Sequence, residues 1–570
     1  MQMLYAQQGA DFYSGDTTYL ELARSLLNHR SYGFDFRPET MLPPGFPALL
    51  AGLIAVLGDS HAVLVRTMVV FATLGLVLTY ILLKRQQSRS AAAAICLVIA
   101  SSPVWFRFAS TIVFSDMPYF CLSMALLLSA TKLDVATERR SIFKWGAISA
   151  FLLVASMLMR SSGVALLGGL VAWIAVSLAS STSLARNRLK KFAVPILFGV
   201  CTQIAWSAWS KPRETIEWPI GGYPKPYLAQ LAVKSGNEPD LGPMSVRDVP
   251  ELVGRNLADY TSAIDYLVTR KGTFEQRWFL PWTVGTIVLA LIGLGASITS
   301  SGGTLSEWYI LIYQAIFVIW PWDFEFRFVL PIAPLICMYI WRGCAICVKW
   351  IVEERRPAAV VVPIVSGLLA AVSALNAAST PHPQAFLATT VWTLVTLLTS
   401  GVIWLDGGFF SKLLRSGRSQ PALVVACLVL IFLGTTRCIA VARENESFEV
   451  AHESGYPQMV AASWLREHAP RNAVIMARQL DVVYHYSRLK VVWFPPTLDA
   501  EMLMGGIARH GVDFIVVLDR GAETYWRPGE DRSFARLLDK YPDRFALVQQ
   551  GSREKIYAVV CDVAEEGCNY

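Results

Sequence analysis

Charged residues are scarce in this chain of 570 residues: Asp, Glu, Lys and Arg make up only 16%, whereas 54% of the residues are hydrophobic. Soluble domains carry about a quarter charged residues, so the composition excludes a soluble protein and indicates an α-helical membrane protein with many spans. The formal net charge is +7. Because the basic residues cluster between apolar runs and do not alternate with surface aromatics, no nucleic-acid partner is predicted.

Several sequence motifs are missing as well. The first sixty residues contain no basic stretch followed by a short apolar run, so no cleavable signal peptide is predicted. The C-terminal part has no GxGxxG or phosphate-binding glycine loop, and no histidine pair has the HExxH spacing. The sequence therefore predicts neither a nucleotide cofactor nor a bound metal.

Apolar runs long enough to cross the hydrocarbon core of a bilayer, about 20 residues each, occur about twelve times. They lie near residues 61–83, 90–106, 117–131, 143–159, 162–180, 192–209, 279–298, 307–322, 328–347, 357–378, 385–405 and 421–440. The predicted fold is therefore an α-helical polytopic membrane domain over residues 61–440. Residues 1–60 precede it as an extracytoplasmic loop without a span.

The charges of the loops set the predicted orientation of these spans. Five alternate loops contain eighteen Lys and Arg residues, whereas the short loops between them contain only Arg107, Arg160 and Arg327. By the positive-inside rule the first set is cytoplasmic. Residues 1–60, the long loop 210–278 and the tail 441–570 then share the outer face, where we expect them to cover a common site.

The tail, residues 441–570, differs in kind because short helix-like and strand-like stretches alternate there. Helices are predicted near 458–468, 480–487, 499–510 and 532–540, and strands near 473–477, 491–494, 513–518, 546 and 557. This pattern predicts a small extracytoplasmic α/β domain. Its two cysteines, Cys561 and Cys568, are either paired as a disulfide, which we favour outside the cytoplasm, or free thiols.

Few ionisable residues lie close to the membrane on the predicted outer face, so each suggests a function. Asp16 precedes the first apolar run, Asp116 stands at the mouth of the third span, and Arg160 follows the fourth. Arg327 lies between the eighth and ninth spans. A carboxylate can take the proton from an attacking hydroxyl while arginines hold a leaving phosphate, which is the chemistry of transfer from a phosphate-linked substrate.

Simpler roles stay open for the same residues. Both carboxylates precede predicted helices, which start at Thr17 and Pro118, and could merely cap them. Both arginines could snorkel to lipid headgroups, and Arg327 could pair with Asp323 or Glu325. A divalent cation between the two carboxylates is a further alternative that we do not predict.

Five short segments, in their order along the chain, carry a resemblance to a known family. They are Gly15–Tyr19 with Ala23, Pro43–Pro47, Ser115–Pro118, Met159–Gly163 and Arg327–Pro334. With them the chain resembles, over essentially its whole length, the glycosyltransferase C superfamily. More narrowly, it is similar to bacterial polyprenyl-phosphate-sugar transferases related to the aminoarabinose transferase of lipid A and to protein O-mannosyltransferases.

The resemblance implies inverting transfer of a sugar from a polyprenyl-phosphate donor to a hydroxyl of a lipid, glycan or protein, outside the bacterial cytoplasmic membrane. It implies that Asp16 is the first-loop catalytic aspartate and Asp116 the second acidic residue. Arg327, with Arg160 and Arg37, is expected to bind the donor phosphate. Arg37 is the nearest substitute for a basic residue that relatives often have just before the prolines. Relatives have thirteen spans, so the first helix, which should precede Asp16, is expected to be missing from this sequence.

Two other functions remain as alternatives. A transporter or flippase of a lipid-linked saccharide would have charged residues near span centres and repeated halves, whereas the acidic residues here gather at one face. A non-catalytic scaffold of the same fold is favoured only by the missing first helix.

Overall fold

The computed structural model describes residues 14–34, 37–213, 230–266, 280–323, 326–353, 457–519 and 526–560. The predicted spans near 357–378, 385–405 and 421–440 lie outside these residues, as do Cys561 and Cys568. Those predictions therefore stay predictions. The described part divides into a helical membrane region and a C-terminal α/β domain.

The membrane region is built almost entirely of helices. They are α1 (Ser14–His29), α2 (Gly45–Leu57), α3 (His61–Leu83), α4 (Arg89–Ala100), α5 (Pro103–Ser110), α6 (Asp116–Val135), α7 (Arg139–Met159), α8 (Val164–Ser180), α9 (Thr182–Ser210), α10 (Val249–Tyr266), α11 (Leu280–Ser301), α12 (Leu305–Val318) and α13 (Ala333–Glu353). Two short antiparallel strands, β1 (Gly33–Phe34) and β2 (Arg37–Pro38), follow α1.

Within the described residues, five helical stretches are long and apolar enough to cross a membrane, and a bent pair makes a sixth. The five are His61–Leu83, Arg139–Met159, Ser161–Ala179, Thr182–Arg213 and Phe326–Cys347. Each lies at a predicted span. The predicted spans near 117–131, 279–298 and 307–322 are also helical, as α6, α11 and α12.

The predicted span near 90–106 is not one straight helix. It is the bent pair α4 and α5, whose axes meet at 68°. Pro103 stands in the first turn of α5, and a proline disfavours helical backbone at the residue before it. The break therefore follows from the sequence, although an apolar run alone does not reveal it.

The first segment contains more helix than predicted. The sequence predicts no apolar helix in residues 1–60, yet α2 is apolar and buries Phe46 and Leu50 completely. At 13 residues it is too short to be recognised as a span. A side-chain carbon at Gly45 would lie 2.6 Å from the backbone of Leu158, so glycine allows α2 to begin directly against the end of α7.

The helices α11 and α13 of the membrane region are in unusually close contact. Side-chain carbons at Gly293 in α11 and Gly343 in α13 would collide with the backbones of Tyr339 and Leu289, respectively. The two helices therefore touch backbone to backbone, a contact that only small residues permit. The region's largest fully buried side chains include Trp105, Tyr119, Tyr309, Tyr313 and Tyr339.

The C-terminal domain has the predicted alternation of helices and strands, which confirms the α/β assignment. Its elements are α14 (Pro457–His468), β3 (Val474–Ala477), α15 (Leu480–Ser487), β4 (Lys490–Trp493), α16 (Ala500–His510), β5 (Phe514–Leu518), α17 (Glu530–Lys540), β6 (Phe545–Gln550) and β7 (Glu554–Val559). The sheet order is β4-β3-β5-β7-β6. The first three strands are parallel, and β7 and β6 add an antiparallel hairpin.

Three separate segments meet above the membrane helices. Asn237, in the long loop, accepts a hydrogen bond from the Arg527 amide (2.9 Å) and another from the Asp323 amide (2.8 Å). The Arg527 guanidinium binds Asp323 at 2.9 Å, and the rings of Trp322 and Trp526 pack edge to face. The long loop, the segment before α13 and the C-terminal domain thus converge.

Candidate active site

Asp16 is almost completely buried, with 1% of the residue exposed. It lies inside the first turn of α1, which begins at Ser14 and not, as predicted, at Thr17. Its Oδ1 accepts a hydrogen bond from the Val113 amide (3.1 Å), and its Oδ2 lies 3.5 Å from Nε2 of His61. A carboxylate in the first turn is favoured by the helix dipole. Asp16 does more than cap α1, however, because it also contacts Val113 and His61, which are distant in the sequence.

His61 is a neighbour that the sequence analysis missed. It is the first residue of α3 and comes next to Asp16 because α2 reverses the chain between them. The sequence offered no metal-ligand spacing around it, so it carried no signal. Among the described residues, no group of three or more His, Cys, Asp or Glu side chains is arranged to hold a metal ion.

Asp116 and Arg160 form a buried ion pair. Asp116 is the first residue of α6, Arg160 follows the last residue of α7, and the contact joins Oδ1 of Asp116 to Nη1 of Arg160. Their side chains are only 2% and 12% exposed. Arg160 therefore does not snorkel to headgroups, and Asp116 binds a residue at the end of a neighbouring helix, α7.

Arg327 lies over two aromatic rings. Its guanidinium carbon is 5.2 Å from the centre of Phe114 and 5.4 Å from that of Phe328. The guanidinium carbon of Arg160 lies 5.8 Å from the centre of Phe328. Two cations thus share one ring, and Phe114 belongs to the segment that contacts Asp16 and leads into Asp116.

Tyr19 connects α1 to this cluster. Its hydroxyl lies 3.4 Å from Oγ of Ser115, and its ring packs edge to face on Phe46 and Phe114. Burial raises the pKa of Tyr19, while the hydrogen bond with Ser115 and the charges of Arg160 and Arg327 act to lower it. The structure therefore brings Asp16, Asp116, Arg160 and Arg327 into one cluster, with Tyr19 among them.

Arg37 has a different neighbourhood. It is 9% exposed, and its guanidinium carbon lies 5.3 Å from the ring of Phe34, which packs in turn on Tyr484 of the C-terminal domain. Asp323, one predicted partner of Arg327, binds Arg527 instead. Glu325, the other, lies outside the described residues.

A polar contact joins α1 to α15 of the C-terminal domain. Oδ2 of Asp481 accepts hydrogen bonds from the hydroxyls of Thr17 (3.0 Å) and Thr18 (2.7 Å). One turn further, Glu21 lies 2.7 Å from Nδ1 of His485 and 2.6 Å from Nη1 of Arg488. We call these residues the α1–α15 contact.

Glu21 makes the stability of this contact depend on pH. Burial acts to raise its pKa, but the hydrogen bond with His485 and the charge of Arg488 outweigh it and lower the pKa to about 2. A lowered carboxylate pKa adds stability above the unfolded value, 4.5, and this stability is lost as the pH falls toward 2. The shift corresponds to about 3 kcal/mol at neutral pH.

We therefore expect Glu21→Gln to lower the melting temperature of the purified protein at pH 7, and the difference from wild type to shrink below about pH 4.5. Thermal unfolding between pH 7 and pH 3 measures it. Glu501→Gln, which removes an exposed carboxylate bound to Lys540, is the matched control and should change little. A Glu21 effect that is constant with pH would contradict the assignment.

Comparison with known proteins identifies the fold. No protein-family model and no curated protein matches the sequence. The crystal structure of ArnT from Cupriavidus metallidurans bound to undecaprenyl phosphate is similar with a TM-score of 0.54 and 13% identity, over 99% of this chain and 97% of ArnT. The apo structure of the same protein gives 0.53 and 14%, over 98% and 96%.

An Archaeoglobus fulgidus oligosaccharyltransferase in the apo form is more distant. Its TM-score is 0.46 at 10% identity, over 91% of this chain and 68% of that one, and the fold assignment does not depend on it. The likeness to ArnT over nearly the whole of both chains shows that this chain has the glycosyltransferase C fold, as its sequence motifs predict.

Proposed function

We propose that the chain is a membrane glycosyltransferase that moves a sugar from a polyprenyl-phosphate donor to an acceptor hydroxyl on the extracytoplasmic face. The observation that carries the proposal is the cluster of two buried carboxylates and two arginines from four separate segments, in which the arginines lie over Phe114 and Phe328. The shared fold supports it, because ArnT binds undecaprenyl phosphate in the similar structure.

Asp16 is the general base in the proposed reaction. It takes the proton of the acceptor hydroxyl while that oxygen bonds to the anomeric carbon of the sugar. The bond from this carbon to the phosphate oxygen breaks, and its electron pair leaves with the polyprenyl phosphate. A single displacement inverts the anomeric centre. The Val113 amide holds Oδ1 of Asp16, and Oδ2 is the oxygen that accepts the proton in this proposal.

We propose different roles for the two arginines at the donor phosphate. Asp116 already compensates the charge of Arg160, so we propose Arg327 as the main phosphate ligand. Arg160, whose guanidinium group also lies over Phe328, then adds its electrostatic field. This keeps the sequence-based hypothesis, in which Arg327, with Arg160, is expected near the donor phosphate, and gives Arg327 the larger part. Asp116 acts by orienting Arg160.

Replacing Arg327 tests the proposal. We expect Arg327→Met to reduce kcat/KM for the donor by about 10²–10³-fold, because the charge that develops on the leaving phosphate loses its counter-charge. Arg327→Lys should recover part of the activity, since it keeps a charge but not the fork of donors. The measurement is loss of labelled polyprenyl-phosphate sugar in membranes at matched protein levels.

Arg213→Met provides the control. Arg213 is an exposed arginine that also lies over an aromatic ring, that of Trp209, so its loss should leave turnover unchanged. Donor that is not consumed by the wild type, in membranes supplied with an extract of native lipids and glycans, would contradict the proposed function and favour a transporter or a scaffold.

A further inference from the structure

The C-terminal domain reaches the residues that directly follow Asp16. Thr17 and Thr18 both donate to one oxygen of Asp481, and Thr17 is fully buried while Asp481 is 7% exposed. Two consecutive side chains of a helix point about 100° apart. That both hydroxyls reach one oxygen therefore fixes the rotation of α1 about its own axis.

The polar character of this contact makes it directional. An apolar interface tolerates small rotations, whereas hydrogen bonds weaken steeply as their angle opens. Threonine adds stiffness because its branched side chain restricts χ1, so the backbone follows the hydroxyl. Inside the membrane region, Asp16 is held by the Val113 amide and faces His61. The Asp481 bonds hold Thr17 and Thr18, the next two residues of the same turn.

We propose that Asp481 is a positioning residue for the transfer reaction: by binding Thr17 and Thr18, the C-terminal domain fixes the direction in which Asp16 presents its carboxylate. The inference rests on the proposed role of Asp16 as the base. It gives the domain a part in the active site, since α15 sets the geometry of a residue that the membrane region supplies.

The residues of the α1–α15 contact have two different roles in this proposal: Asp481 positions Asp16, and Glu21 attaches the C-terminal domain to α1. Glu21, His485 and Arg488 join the same two helices one turn further from Asp16. They bind the domain to α1 without touching the turn that carries Asp16. Loss of Glu21 should therefore loosen the domain, whereas loss of Asp481 should misalign the base.

Enzyme kinetics test this difference. We expect Asp481→Leu to lower kcat by about 10²-fold, the cost of a displacement near 1 Å, with the KM for the donor unchanged. Asp481→Asn should restore most of the kcat, because its amide oxygen accepts the same two hydrogen bonds. Thr17→Val combined with Thr18→Val should reproduce the loss, and adding Asp481→Leu should lower kcat no further.

Glu21→Gln is the matched control in the same assay. It should lower the melting temperature while kcat stays close to that of the wild type. An equal loss of kcat in Glu21→Gln and Asp481→Leu would overturn the proposal, since attachment alone would then explain both. A loss in Asp481→Asn as large as in Asp481→Leu would overturn it as well.

A labelling experiment separates this inference from the proposed function. The reference protein carries Asp16→Cys, and a small methanethiosulfonate reagent modifies its thiol. Adding Asp481→Leu should raise the rate of this modification by about tenfold or more, because local opening governs access to a buried thiol. Adding Asp481→Asn in place of Asp481→Leu should leave the rate of modification unchanged. Equal rates in all three proteins would refute the positioning role, even if transfer were observed. A wild type without transfer activity would refute only the proposed function.

Discussion

Asp16→Asn should reduce the turnover of labelled donor by about 10²–10⁴-fold, the usual contribution of a general base. Asparagine has the same shape and its amide oxygen can still accept the bond from Val113, so the fold should persist while the proton acceptor is lost. The measurement is single-turnover transfer in membranes, with the melting temperature of both proteins determined in parallel.

A second aspartate in the same segment gives the control for Asp16. Asp59 lies between α2 and α3, and its side chain is 40% exposed and binds Arg24. Asp59→Asn should therefore change turnover only slightly, since exposed ion pairs contribute about 0–1 kcal/mol. Turnover by Asp16→Asn equal to that of the wild type would mean that another group accepts the proton.

Arg160→Met should destabilise the protein by about 3–5 kcal/mol, because it leaves the carboxylate of Asp116 buried without its counter-charge. Replacing both partners, as Asp116→Leu with Arg160→Met, should recover most of that stability. Transfer should stay low in the double variant, since it lacks the charge that faces Phe328. Thermal unfolding and donor consumption, measured on the same three proteins, separate the two effects.

The pair of Arg188 and Asp134 serves as the comparison. It joins the same kind of groups at 3.2 Å near the opposite end of α6. Asp134→Asn should lower stability modestly and leave transfer intact. If Asp116→Leu with Arg160→Met transferred sugar at the wild-type rate, the Asp116–Arg160 pair would be purely structural. Its proposed role in the mechanism would then be wrong.

The sequence predicts local features of this fold well. The alternation of strands and helices after residue 457 depends on short-range patterns, and each predicted element of the tail is present in the described residues. The spans with strong, uninterrupted hydropathy are found for the same reason. By contrast, the apolar helix α2 is too short for the length criterion, and the break before Pro103 is hidden within an apolar run.

The active-site cluster shows where sequence reasoning stops. Asp16, Asp116, Arg160 and Arg327 could be singled out because ionisable groups near a membrane are costly. Their partners could not, since the Asp116–Arg160 pair and the approach of His61 to Asp16 arise from how separate helices pack. No spacing along the chain encodes these contacts.

The backbone contact between α11 and α13 has a consequence for tolerance to substitution. The meeting of Gly293 and Gly343 with the facing backbones sets the distance between α11 and α13, the helix that follows Arg327 along the chain. That distance is thus determined by two residues that have no side chain. Exposed neighbours such as Val288 and Leu291 can vary among apolar residues while the two helices stay in contact, whereas even a methyl group at either glycine would push them apart.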